Sequence, residues 1–152
     1  MAALDISDYG NFVLTKAIKT AKQQNAKMDI VVVAEEQSNE SDCDESGRAN
    51  EKQLQYATGV AREYQQKAIA QGVKAKVRVR SGKSAAEEIV KYQKSEKLDL
   101  IVLGRRSHTD RATFPMPIGH VAQKVLAKAT CTVMLVRCMG KGDHIDKNLY
   151  SF

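Results

Sequence analysis

The chain has 152 residues, 43% of them hydrophobic, enough for one domain that buries a core without disulfides or metals and too few for two. No apolar run reaches about 18 residues, and the start Met1-Ala2-Ala3-Leu4-Asp5 lacks a basic segment and a long apolar one, so neither a membrane span nor a signal peptide is predicted and a cytoplasmic protein is expected. The formal charge of +6 is uneven: Glu35, Glu36, Glu40, Asp42, Asp44 and Glu45 crowd one stretch without Lys or Arg, and elsewhere 24 cationic residues face 12 acidic ones.

Such a basic body favours anionic ligands or surfaces, although most charges of this kind are solvated. Without aromatic stacking residues among them, nucleic acid is not an expected partner.

Ala2-Ala3-Leu4 reads as a short strand, with Asp5 to Asp8 as the turn out of it. Leu14, Ala17, Ile18 and Ala21 then recur at helical spacing, and Asn25 marks a stop. Ile30 to Ala34 is a β-branched run suited to a strand covered on both faces. The acidic stretch 35–50 has no periodicity and is expected to be a mobile loop.

A second helix carries Leu54, Ala57, Ala61, Tyr64 and Ala68 on one side and ends at Gly72. Val73, Ala75, Val77 and Val79 alternate with Lys74, Lys76, Arg78 and Arg80; a strand so charged belongs at a sheet edge, where charge discourages edge-to-edge pairing. Ser84-Ala85-Ala86-Glu87 has the form of a capping box and opens a third helix with Ile89, Val90 and Tyr92 toward the core. Leu98 to Leu103 is a fourth strand, Val121, Val125, Leu126 and Ala129 mark a fourth helix, and Thr132 to Arg137 a fifth strand.

The order βαβαβαβαβ implies an α/β fold, a parallel sheet with helices on both faces. Residues 1–137 form the domain, and 138–152, with little periodicity, a C-terminal tail.

Few motifs carry chemistry. Ser81-Gly82-Lys83-Ser84 resembles the end of a P-loop, but the full pattern needs glycine at position 77, which is Val77 inside a strand. Cys43, Cys131 and Cys138 show no C-x-x-C spacing and read as free thiols, Cys131 as a buried small hydrophobe. His108, His120 and His144 have no ligand spacing, so no metal is expected. Ser107 adjoins His108, but neighbours in sequence point apart and make no catalytic pair, and no catalytic residue is assigned.

The stretch Asp99 to Arg137 is the exception: an apolar strand ending at Gly104, a basic loop with Arg105, Arg106 and Arg111, and Gly119 opening a helix. Ligands of open parallel sheets lie beyond the carboxyl ends of the strands, where strand order reverses. If the first and fourth strands are neighbours, Asp5 is placed to accept hydrogen bonds from a ribose or base while amides at Gly104 and Gly119 face phosphates.

Asp99-Leu-Ile-Val-Leu-Gly104, Gly119-His-Val-Ala-Gln-Lys-Val-Leu-Ala-Lys-Ala-Thr-Cys-Thr-Val-Met-Leu-Val-Arg137 and Gly82 to Ile89 together resemble the universal stress protein family, nearly end to end. That resemblance implies a five-stranded sheet of order 3-2-1-4-5, Rossmann-like, and a homodimer through the fifth strand, Val133, Met134, Leu135 and Val136. In members that bind ATP or AMP it implies contacts to adenine and ribose from Asp5 and from the backbone at Val33. The phosphates would meet Gly104, Arg105, Ser107, Gly119, His120 and Val121.

The family's phosphate motif G-x2-G-x9-G-[ST] is not fully kept. Ser107 replaces its second glycine, eleven residues (108–118) stand where nine are expected, and His120 replaces the hydroxyl. Serine limits backbone approach wherever φ > 0 is needed, and Phe114-Pro115-Met116-Pro117 stiffens the loop. The first strand is also short for a central one, consistent with a segment cut from a longer chain, a late start, or a strand completed some other way.

The expected function is a stress-response or regulatory module with an adenine-nucleotide cleft. The alternatives are a dimerisation or partner module of the same fold without nucleotide, and a weak nucleotide hydrolase.

Overall fold

The computed structural model describes residues 1–35, 43–106 and 118–137. Their elements alternate as expected: β1 (Ala2–Leu4), α1 (Asp8–Gln23), β2 (Met28–Glu35), α2 (Cys43–Ala70), β3 (Ala75–Gly82), α3 (Ala85–Ser95), β4 (Leu100–Gly104), α4 (His120–Lys128) and β5 (Thr132–Val136). The strands form one parallel sheet in the order β3-β2-β1-β4-β5. The cationic strand β3 is therefore an edge, with Lys76 and Arg78 exposed.

β1 has three residues yet sits in the middle, paired on both sides: Ala2 matches Ile30 of β2 and Val102 of β4. Alternate side chains of a strand point to opposite faces, so its residues divide between two cores. Leu4 joins Leu14, Ile18, Ile30, Val32, Ala61 and Tyr64 beneath α1 and α2. Ala3 joins Ile89, Val90, Ile101, Leu103 and Val125 beneath α3 and α4.

Three helices stop by the same backbone device. At Asn25, Gly72 and Lys97 the chain takes a positive φ. The amide just beyond each donates five residues back, from Ala26 to Ala21, Val73 to Ala68 and Leu98 to Gln93. These are Schellman ends, which satisfy carbonyls that the helix leaves open.

Several expectations are corrected. Of the predicted mobile acidic loop 35–50, Glu35 closes β2 and residues 43–50 are the opening turns of α2. The helix that buries Ala57, Ala61, Tyr64 and Ala68 thus extends N-terminally to Cys43, beyond the turns whose apolar spacing marked it. Residues 36–42 of that loop and the tail 138–152 lie outside the described residues.

Leu54 and Leu126 are exposed at 37% and 42%; the core contacts of α2 begin one turn later at Ala57, and those of α4 are Ala122 and Val125. Cys131 is a free thiol but only half-buried, because it leads into the edge strand β5. Desolvation raises its pKa.

The Ser84 hydroxyl makes no cap for α3. Glu87, its presumed partner, instead meets Lys128 of α4 at 3.2 Å, an exposed pair worth little to stability.

α3 is tied to β2 and β3 by a polar cluster. The Tyr92 hydroxyl donates to Asp29 Oδ2 at 2.7 Å, and Arg80 reaches Glu88 at 2.7 Å with its guanidinium 5.8 Å from the Tyr92 ring. The Arg80 hydrogen bond holds the Glu88 carboxyl below its usual range. Burial, then the bond to Asp29, pushes the Tyr92 phenol from 10.0 up to about 12.

Between those two values the unfolded chain releases the phenol proton while the folded chain keeps it, so this contribution is intact below pH 10 and is lost as pH rises toward 12. Denaturation followed across that window should show a steeper loss of stability in the wild type than in Tyr92→Phe. Parallel curves would remove Tyr92 as the cause.

Candidate functional site

A cleft of ≈ 480 Å³ opens at the carboxyl ends of the strands, within the size range of small-molecule sites. It lies where strand order reverses, since β1 is followed on one side by β2 and on the other by β4. A second concavity of ≈ 600 Å³, lined by Asp99, Thr130 and Cys131 among others, lies at the opposite end of the sheet where β4 and β5 begin. Open α/β sheets place ligands at the former end, not the latter.

Asp5, Val33, Gly104, Arg105, Gly119, His120 and Val121 all line the first cleft. The topology brings them together from four separate places along the chain. Ser107, and with it His108, Arg111 and Phe114 to Pro117, lies outside the described residues.

Asp5 is held by its own turn. Its Oδ1 accepts from the Ser7 hydroxyl at 2.8 Å and from the Ser7 amide at 3.3 Å. Ser7 is the N-cap of α1 by position, but its hydroxyl is spent on Asp5 and makes no cap. From the other side the buried Tyr64 of α2 donates its hydroxyl to Asp5 O at 2.9 Å and to Ser7 O at 3.3 Å. This long-range clamp leaves Gly10 no room for a side chain: a Cβ there would stand 2.5 Å from Asp5 O and closer still to the Tyr64 hydroxyl.

Beside Asp5, toward β4, the site is built from backbone. Gly104 closes β4 in a tight turn, where an added Cβ would lie 3.2 Å from Arg106 O. The Arg105 amide donates to Val136 O, and the Gly119 amide donates to Arg105 O, both at 2.8 Å. The Gly119 N–H, expected to face an anion, is thus already used.

Three further backbone donors stand in the first turn of α4, at His120, Val121 and Ala122. The helix's i→i−4 ladder begins only with Gln123 donating to Gly119 O at 2.9 Å, and first-turn amides have no intrahelical acceptor. Among the described residues no side chain caps this end, and no acidic residue stands in its first turn. Arg105, Arg106 and Lys124 add positive charge along the same wall.

On the β2 side of Asp5 the wall is apolar, with Val31, Val33, Ala86 and Ile89, and Leu103 of β4 lies on the other side. Along the strand order the cleft therefore offers an apolar slot with Glu35 on the β2 side, the Asp5 carboxylate after β1, and amides with cationic side chains after β4 and at the start of α4. That sequence of surfaces matches a nucleotide's base, ribose and phosphate in chemistry.

Sequence reasoning missed three contributors. Gly10 and Tyr64 position Asp5 although neither was singled out for the site. Glu35 was assigned to the acidic loop, yet it lines the cleft and its Oε1 accepts from the Ala85 amide at 2.9 Å. The alternation Val31, Val33, Glu35 was the available signal, since it places all three on one face of β2.

The sequence profile of the Universal stress protein family matches residues 1–137. The chain belongs to the universal stress protein family. No curated protein sequence matches it significantly.

Solved universal stress proteins share the fold. UspA from Lactobacillus plantarum is 20% identical with a TM-score of 0.77, over 90% of this chain and 96% of that one. A universal stress protein in complex with cAMP is 21% identical with a TM-score of 0.63, over 89% and 94%. A family protein from Arabidopsis thaliana with AMP bound is 15% identical with a TM-score of 0.61, over 95% and 96%. At these identities the likeness establishes the five-stranded fold.

Among the described residues no three His, Cys, Asp or Glu side chains gather as metal ligands, and no helix is long and apolar enough to cross a membrane.

Proposed function

We propose that this universal stress protein domain is a regulatory binding module that takes an adenine nucleotide in the cleft between Asp5 and the start of α4. The observation that carries it is the order of surfaces along that cleft, set by the strand order β2-β1-β4: an apolar slot at Val33, Ala86 and Ile89, the oriented Asp5 carboxylate, then the first turn of a helix flanked by Arg105 and Arg106. Asp5 accepts from the ribose or base, Val33 contacts the base through its backbone, and Gly104, His120 and Val121 surround the phosphates. The family neighbours with AMP and cAMP bound support the ligand class.

With the Gly119 amide committed to Arg105 O, the phosphate end rests on the helix amides and the cationic side chains. Its affinity should therefore fall with ionic strength, as attraction between exposed charges does.

Calorimetry with ATP, ADP and AMP tests the proposal. A binding isotherm is expected in the wild type, and Asp5→Ala should weaken it by about tenfold or more, the scale of one or two hydrogen bonds to a charged group. No heat and no thermal shift at millimolar nucleotide would defeat it and leave a partner module without nucleotide.

The domain is further proposed to pair with a second copy through the outer edge of β5, Val133 to Val136, where Met134 is 37% exposed at the end of the sheet. Light scattering on the same samples should give twice the chain mass.

A further inference from the structure

Glu35 is the last residue of β2 and stands two positions beyond Val33 on the same face of the strand. β1 ends at Leu4 opposite Val32, so no β1 residue pairs with this end of β2. The Glu35 carboxylate turns instead to the start of α3 and accepts the Ala85 amide at 2.9 Å through Oε1. It supplies the cap that the Ser84 hydroxyl does not make.

This bond fixes the carboxylate at the cleft wall, between the apolar slot of Val33, Ala86 and Ile89 and the solvent. Of the cationic groups of the cleft, Arg105 and Arg106 belong to the turn after β4 and Lys124 to α4. Glu35 is thus an acceptor at the end away from them, beside the slot that suits a flat base.

We propose that Glu35 selects the base: held through Oε1 by the Ala85 amide, it presents Oε2 to the exocyclic amine of an amino-bearing purine and disfavours one with a carbonyl at that position. An ionised carboxylate only accepts hydrogen bonds. The amine of adenine donates one, whereas the carbonyl of hypoxanthine sets lone pairs against lone pairs and leaves a polar group unmatched. Sites of this kind discriminate through the unpaired group rather than through shape. The selection rests on the cleft being a nucleotide site.

AMP and IMP differ at that one edge, so their affinities for the wild-type protein, measured by calorimetry, test it directly. AMP is expected to bind about tenfold more tightly, the scale of one hydrogen bond to a charged group. Glu35→Gln gives the second arm. Only its carbonyl can accept from the Ala85 amide, so its NH2 turns to the cleft as a donor, and the AMP:IMP preference should fall to one or reverse.

Thermal unfolding of Glu35→Gln verifies that the variant is folded, and the wild-type ratio stands without it. Equal wild-type affinities, or a ratio that Glu35→Gln leaves unchanged, would overturn the selection while the nucleotide cleft survives. A wild type that binds neither AMP nor IMP overturns both.

Discussion

Gly10→Ala should lower the unfolding free energy by about 2–3 kcal/mol, the scale of forcing a carbon into a packed interior, and should abolish measurable AMP binding at the same time. The added Cβ would lie 2.5 Å from Asp5 O and overlap the Tyr64 hydroxyl. Asp5 O is backbone and cannot rotate away, so the turn carrying Asp5 must shift, and Tyr64 must also withdraw and give up its bond of 2.9 Å to that carbonyl. The shift of the turn moves the carboxylate proposed to meet the ligand. Chemical denaturation and calorimetry on one sample check both effects; a variant with wild-type stability would mean that the β1–α1 turn is not clamped as described.

Ile101→Ala should cost about 3–4 kcal/mol and lower the melting temperature by roughly 10 °C for a chain of this size. Ile101 is fully buried in β4, in the cluster with Ala86, Ile89, Val90, Leu103, Ala122 and Val125. Removing its larger side chain leaves a cavity beneath α3 and α4, the two helices whose first turns form the cleft wall. Thermal unfolding should therefore show a loss of stability far larger than that of a surface substitution. A loss below 1 kcal/mol would mean that the layer collapses onto the gap.

The fold was legible for local reasons. Period-2 alternation in Val73 to Arg80 identified an edge strand before any partner was known, and the pattern held because an edge tolerates charge on one face. Asn25 and Gly72 were readable as stops because a left-handed residue is a property of one position. The membership was readable because several segments match in order, from Leu4-Asp5 to Val136-Arg137.

The site was legible in part. Asp5, Val33, Gly104, Arg105, Gly119, His120 and Val121 do meet in one cleft. The assignment of donors among them was not readable. The Gly119 amide is taken by Arg105 O, a bond set by how the chain returns to α4 rather than by any motif. The presumed capping box failed for a similar reason: Lys128 draws Glu87 away, and Glu35 occupies the amide end of α3.

By itself the sequence determined the alternation of strands and helices, the polarity of the two faces of β3, the helix stops at Asn25 and Gly72 and the family, because each depends on φ preference and periodicity within a few residues or on segments matched in order. Only the tertiary structure decided which groups meet: Tyr64 with Asp5, Arg105 with Gly119, and Glu35 with Ala85. Those contacts depend on strand order, register and helix rise acting together over long separations. A pattern confined to one element carries no record of them.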